Sequence, residues 1–264
     1  MTFYDRRHLV GSLFLSAFIV AASLTAAMAD TLLDTIKTRG SLKVGLEGTY
    51  PPFSYQDESG KLVGFEVDFA NALAAKLGVK ADFQLTNWNG LLAALESKRV
   101  DVVINQVSVN EERKKKYDFS EPYTISGIQI IVRKGTEDKI NKPADLAGKR
   151  VAAGIATNYG KWLRENVPTA VDVSYDDNAT PYQDLRTGRI DAVLNDRLVA
   201  ADIIKKTGNI FVASGKPFAT EGSAIALRKD PELQAALNQA IDALRADGQL
   251  AAISDKWFGT DVTK

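Results

Sequence analysis

The sequence predicts an α/β protein of two similar lobes, each a mainly parallel sheet flanked by helices, joined by a two-strand hinge. The first observation behind that prediction is alternation: short apolar strand segments are followed by helices of amphipathic spacing along most of the chain. The second is an internal repeat. Leu95, Arg99, Asp101, Val103 and Asn105 recur in register as Leu185, Arg189, Asp191, Val193 and Asn195, with apolar residues matched between them. A weaker pair aligns residues 43–50 with 151–159. Only two copies occur, which argues for paired lobes rather than a solenoid. The third is size: 264 residues without a cysteine suffice for one large or two smaller domains, held by apolar cores and not by disulfides.

In chain order, residues 42–46 read as a strand. Residues 65–77 read as a helix from the spacing of Phe65, Phe69, Leu73 and Leu77, stopped by Gly78. Residues 79–85 form the next strand. Asn89 is expected to cap a helix running to Lys98, and residues 100–104 to form a short apolar strand. Asn110 caps a further helix with Glu111 and Glu112 in its first turn, where the helix dipole favours acids. The second half repeats this style, with strands at 150–153, 171–175, 190–194 and 223–228. Its helices span 157–166, ended by Pro168, then 181–187 and 196–206. Asp230-Pro231 caps and opens a helix to Ala246, and 249–257 close the chain.

The N-terminus sets the expected compartment. Arg6 and Arg7 precede an almost wholly apolar stretch over 9–27, and Ala27-Met28-Ala29 supplies the small-residue pattern cut by a signal peptidase. Residues 1–29 are therefore expected to be a cleaved signal peptide, which makes the protein periplasmic, with Asp30 as the first mature residue. The absence of cysteine excludes lipid attachment through an N-terminal thiol. Lys+Arg and Asp+Glu are equal at 33 each, so no nucleic-acid partner is expected. The histidine is His8 and the methionines are Met1 and Met28. Residues 30–264 thus lack His, Cys and Met, which excludes Ser-His-Asp and Cys-His catalysis and zinc or soft-metal sites of the usual kind. No catalytic residue, metal or cofactor is expected.

In open α/β sheets ligands bind beyond the carboxyl ends of strands. The repeat puts Gln106 and Asp196 just past equivalent strands, and Glu47–Tyr50 and 156–158 follow theirs. Two facing lobes bring all four loops to one cleft.

The chain resembles the polar amino-acid-binding family of periplasmic solute-binding proteins of the ABC-transporter type. The resemblance is carried by Gly45-Leu46-Glu47-Gly48-Thr49-Tyr50-Pro51-Pro52-Phe53, Gly64-Phe65-Glu66-Val67-Asp68, Trp88-Asn89-Gly90-Leu91, Asp118-Phe119-Ser120-Glu121-Pro122-Tyr123 and Lys256-Trp257-Phe258-Gly259. Residues 111–117, 157–159, 182–186 and 195–197 are most similar to its L-cystine-binding branch. The resemblance implies the two-lobed type II periplasmic binding protein fold. Lobe 1 is then 30–125 with 223–264, and lobe 2 is 126–222. It also implies a monomer that delivers a free amino acid to an inner-membrane ABC permease with its ATPase, closing about hinges near 124–127 and 219–223.

An α-amino acid presents a carboxylate, which calls for a planar bidentate donor and backbone N–H groups, and an ammonium, which calls for an acid. Arg113 lies in the first turn of the Asn110 helix and matches the family's carboxylate-binding arginine. Ser108 and Thr157 add hydroxyls. Val107, Ala156 and Asn158 lie on the same two loops. Asp196 matches the family's ammonium-binding aspartate, and Glu47 is a second acid on the facing lobe. Tyr50, Phe53 and Trp88 fall where the family stacks aromatic rings on its ligand. Asn105, Gln106 and Tyr159 complete the candidates, while Phe119, Trp162 and Trp257 are assigned to structure. A chain without thiols suits a disulfide ligand, because thiolates attack disulfides. Cysteine, glutamine or a basic amino acid remains an alternative ligand. The rival class is a carboxylate-based dehydratase on the same fold. With the chain ending at Lys264, no added catalytic domain is expected.

Overall fold

The computed structural model describes residues 31–264. The signal peptide expected at 1–29 lies outside the described residues. The chain opens with α1 (Leu32–Arg39), held by a reciprocal capping box between Thr31 and Asp34 and turned at Gly40, whose φ of 73° suits a residue without Cβ. Next come β1 (Ser41–Leu46), the short strands β2 (Thr49–Tyr50), β3 (Ser54–Gln56) and β4 (Leu62–Val63), and α2 (Phe65–Lys76). They are followed by β5 (Lys80–Leu85), α3 (Trp88–Glu96), β6 (Val102–Val103), α4 (Glu111–Lys116) and β7 (Tyr117–Phe119). A long strand, β8 (Thr124–Arg133), leads into β9 (Arg150–Gly154), α5 (Asn158–Asn166), β10 (Val171–Tyr175), α6 (Thr180–Thr187), β11 (Ala192–Asp196) and α7 (Arg197–Lys206). The return strand β12 (Phe211–Ser223) precedes β13 (Ala226–Arg228), α8 (Pro231–Ala246) and α9 (Gln249–Phe258).

Two five-stranded sheets result, in the orders β5-β1-β6-β13-β7 and β10-β9-β11-β8-β12. In each, the first two pairings are parallel and the last two antiparallel. The sheets are therefore mixed and not mainly parallel. The βαβ units supply the parallel half. The strands that enter or leave each lobe through the long crossings supply the antiparallel half, since they need no helical crossover.

The repeat in the sequence is a repeat in the fold. β6 and β11 hold the third place in their sheets, and β1 and β9 the second. Asp101 Oδ2 accepts from the Lys43 N–H at 2.8 Å, as Asp191 Oδ2 does from the Arg150 N–H at 2.9 Å. Arg228 Nη1 donates to the Leu95 and Val100 carbonyls at 2.7 and 2.8 Å. Arg133 Nη1 donates to the matching Leu185 and Ile190 carbonyls at 2.6 and 3.0 Å. The helices end alike, with Lys98 at φ 61° and Gly188 at φ 80°.

Each lobe has its own core. One is built on stacked and tilted rings of Phe53, Phe65, Phe69, Tyr123 and Phe258. The other packs Ile128, Ile130, Val132, Val151, Leu163 and Leu194. Several expected elements shift. Asn87, not Asn89, caps α3, because its extended backbone lets Oδ1 accept from the Gly90 N–H at 3.1 Å while Asn89 is already helical. Of 100–104 only Val102–Val103 pairs, and the 190–194 strand moves to Ala192–Asp196. The strand expected at 223–228 is broken between β12 and β13. The small sheet β2-β3-β4, α1, β7 and the two long strands β8 and β12 are additions.

Candidate ligand-binding cleft

The carboxyl ends of four parallel strands converge. The loop after β1 carries Glu47, and Asn105 and Gln106 follow β6. The loop after β9 carries Ile155 to Thr157, and β11 ends in Asn195 and Asp196. These loops line a central cavity together with Tyr50, Trp88, Asn158 and Tyr159 and with Tyr175 to Asn178 beyond β10. Two of these loops hold strained backbone: Gln106 has φ 48° and Ala156 φ 56°. Left-handed conformations at non-glycine residues cluster where the surroundings fix a functional geometry.

Side chains of one half reach the other directly. Tyr50 Oη donates to Asn195 Oδ1 at 2.8 Å and lies 3.4 Å from Tyr159 Oη. Asn178 Nδ2 donates to Glu47 Oε1 at 3.1 Å. Arg113 Nη2 donates to the Ala156 carbonyl at 3.3 Å, and its Nη1 to the Ser108 carbonyl at 2.9 Å. This is a closed arrangement, with hydrogen bonds spanning the cleft.

Its charge is mostly acidic. Glu47 accepts from Asn105 Nδ2 at 2.8 Å as well as from Asn178, and burial pushes its carboxyl above the usual range against those bonds. Asp196 is buried and caps α7, accepting from the Leu198 N–H at 2.7 Å; burial raises its carboxyl to about 6. Asp176 and Asp177 complete the acidic side. Burial also lifts the Tyr50 and Tyr159 hydroxyls well above the usual phenol range, so both stay neutral donors. Arg113 is the facing cation. Its guanidinium lies 5.3 Å from the Trp88 ring centroid, and desolvation lowers its pKa from the ordinary value.

The fourteen residues expected at the site divide by place. Glu47, Tyr50, Trp88, Asn105, Gln106, Thr157, Asn158 and Tyr159 line the central cavity. Ser108 and Asp196 line a smaller adjoining cavity with Gln106, Asn158, Tyr159 and Glu221. Arg113 and Ala156 face a third, shared with Trp88, Thr157 and Asn158. Arg113 and Asp196 thus flank the centre from two sides and do not meet in one cavity; Asn158 borders all three. Phe53 and Val107 fall outside. Phe53 is fully buried between Tyr50, Phe65 and Phe258, and Val107 packs against Leu91, Val103 and Ala224. Both serve the core, because the loops that carry them turn those side chains inward. Tyr175, Asp177 and Asn178 were missed. The turn-forming run Asp176-Asp177-Asn178 directly after a strand was the signal available for them.

An acidic, amide-rich cleft flanked by Arg113 suits a small ligand bearing an ammonium and a carboxylate. Among the described residues no cluster of metal-ligating side chains occurs, and no helix is long and apolar enough to cross a membrane.

The chain is 56% identical over 254 residues to the L-cystine-binding protein TcyJ of Escherichia coli K12, covering 93% of this chain and 95% of that protein. It is 39% identical over 236 residues to the L-cystine-binding protein TcyA of Bacillus subtilis, covering 87% of this chain and 85% of that one. Among solved structures it resembles a mutant of ArgBP from T. maritima, with TM-score 0.81 and 35% identity over 86% of this chain and 99% of that chain. It also resembles an ancestral amino-acid-binding protein, a precursor of cyclohexadienyl dehydratase, with TM-score 0.80 and 38% identity over 86% of this chain and 99% of that chain. The model of the bacterial extracellular solute-binding proteins, family 3, matches residues 42–260, and the chain belongs to that family.

Proposed function

We propose that the protein is the substrate-binding component of an amino-acid ABC importer and that its ligand is L-cystine, captured by lobe closure. The similarity to TcyJ over nearly the whole of both chains carries the choice of cystine. The cleft supports the wider class: acids at Glu47 and Asp196 face an ammonium, while Arg113 and the amide groups face a carboxylate. In this reading the ligand contacts come from Glu47, Tyr50, Trp88, Gln106, Ser108, Arg113, Ala156, Thr157, Asn158 and Asp196, on lobes 30–125 with 223–264 and 126–222. The two crossings, β8 and β12, act as the hinge. Closure is favoured because bound ligand bridges both halves, so its affinity for the closed form exceeds that for the open one. The closed monomer is then handed to an inner-membrane permease and its ATPase from the periplasm. Binding without chemistry is supported by residues 30–264 having no His or Cys to serve as base or nucleophile.

The test is a thermal-shift screen of the mature chain against the proteinogenic amino acids and cystine. Cystine is expected to give the largest stabilisation, since a ligand of the native state raises stability with its concentration over Kd. A dominant shift with lysine, arginine or glutamine instead would overturn the choice of ligand.

A further inference from the structure

Behind the cleft lies a buried carboxyl that the ligand contacts do not use. Glu66, in the first turn of α2, is 0% exposed. Its Oε1 accepts from the Gln106 backbone N–H at 2.7 Å and from Gln106 Nε2 at 3.1 Å, and it also receives the Tyr123 hydroxyl. Its Oε2 has no hydrogen-bond partner among the described residues. Gln106 in turn accepts through Oε1 from Thr124 Oγ1 at 3.0 Å. Thr124 is the first residue of β8, where the chain begins to cross between the lobes. Gln106 borders the central cavity and holds a left-handed backbone.

We propose that Glu66 is a positioning residue that fixes Gln106 in its strained conformation and, through the Gln106 amide, ties the ligand cleft to the start of the hinge strand. This rests on the binding function proposed above. A residue with φ 48° needs its surroundings to hold it. Here one carboxyl oxygen takes both the main-chain and the side-chain N–H of the same glutamine, which leaves the glutamine oxygen aimed at Thr124. A change at the hinge strand and a change at the cleft therefore pull on the same amide. A core role alone does not call for a carboxyl: an apolar side chain of that volume fills the space without leaving an oxygen unsatisfied. The groups facing Glu66 are Tyr123, Gln106 and, more distantly, Glu47, and none of these is a cation. Burial accordingly raises its carboxyl to about 7, so the clamp changes from neutral to ionic acceptor near neutral pH.

The experiment compares wild type, Glu66→Gln, Thr124→Val and the double variant. Two quantities are read across about pH 6 to 8: the hydrogen-exchange protection factor of the Gln106 amide in ligand-free protein, and the Kd for L-cystine by calorimetry. Glu66→Gln keeps an acceptor oxygen and the shape but cannot ionise. In wild type, Gln106 protection and affinity are expected to rise as Glu66 ionises; in Glu66→Gln the protection profile is flat and affinity keeps only the Asp196 slope near pH 6. Thr124→Val is expected to weaken binding by roughly fivefold, with a smaller effect in the Glu66→Gln background because both act through one amide. Gln106 exchange that follows the wild-type profile in Glu66→Gln, or additive effects in the double variant, would overturn the proposal. If Glu66→Gln does not fold, the wild-type exchange profile and the effect of Thr124→Val on Gln106 exchange decide it. Failure of every amino acid to bind would sink the functional reading but leave the exchange measurement able to decide the positioning role.

Discussion

Asp196 has two tasks that one substitution can separate. Its Oδ1 accepts from the Leu198 N–H and so caps α7, and its charge faces the cleft side of that helix end. Asn caps about as well as Asp. Asp196→Asn should therefore not lower the melting temperature of the ligand-free protein, while weakening amino-acid binding by about 2–5 kcal/mol, read by calorimetry. The wild-type carboxyl is raised to about 6 by burial, and an ammonium partner favours its ionised form. Binding then releases a proton at acid pH, so affinity should fall roughly tenfold for each pH unit below about 6, and Asp196→Asn should lack that slope. Arg113→Ala tests the other end. It removes the bond to the Ala156 carbonyl and the contact with Trp88 along with the cation. The expected loss is again about 2–5 kcal/mol, expressed in faster release and not slower capture. Unchanged affinity in Arg113→Ala would take the carboxylate away from that side of the cleft.

At the scale of elements, the repeated helix-to-strand unit is the part that two chemically equivalent arginines lock. Arg133 and Arg228 each donate to a carbonyl near the end of a helix and to one two residues before the following strand. These are charge-assisted bonds to backbone carbonyls, each worth about 1.5–3 kcal/mol. Arg133→Met and Arg228→Met should each cost a few kcal/mol of unfolding free energy in urea with little change in m. Unequal losses would mean that the two lobes differ at this joint. The recurrence of Leu95, Arg99, Asp101 and Asn105 as Leu185, Arg189, Asp191 and Asn195 made this unit readable from sequence, because its aspartates and asparagines accept backbone N–H groups in both copies. The strand-end rule likewise found Glu47, Gln106, Thr157 and Asn158. The arginines themselves lie on strands far away in the chain, and no local pattern links them to their carbonyls. The antiparallel half of each sheet was hidden for the same reason. β8 pairs with β11 and β12 across long loops, and pairing at that separation leaves no trace in periodicity. Phe53 and Val107 turn into the core and not the cavity, because a loop position says where the backbone goes, not which way the side chain turns.

For the whole molecule, the buried acids make stability and ligand affinity respond oppositely to pH. Glu66 rises from 4.5 to about 7 and Asp196 from 3.8 to about 6 on folding. Both native carboxyls bind protons that the unfolded chain has already released, so between those values unfolding releases protons. Each raised pKa favours the native state fully at acid pH and loses that contribution as pH climbs through its folded value, about 3 kcal/mol apiece. Asp184, Asp191 and Asp247 work the other way: hydrogen bonds from Tyr175 and Arg189, from Arg150 and from Lys76 respectively hold them below the usual range, and that contribution is lost only in stronger acid. The ligand-free protein should therefore melt at lower temperature at about pH 8 than at about pH 5. Saturating amino acid adds stability in proportion to RT ln(1 + [L]/Kd), and that increment grows as Asp196 ionises. Melting curves with and without ligand should then diverge as pH rises, the bound protein holding its stability where the free protein loses it. Parallel curves across that range, measured by scanning calorimetry, would show that neither buried carboxyl is coupled to closure of the cleft.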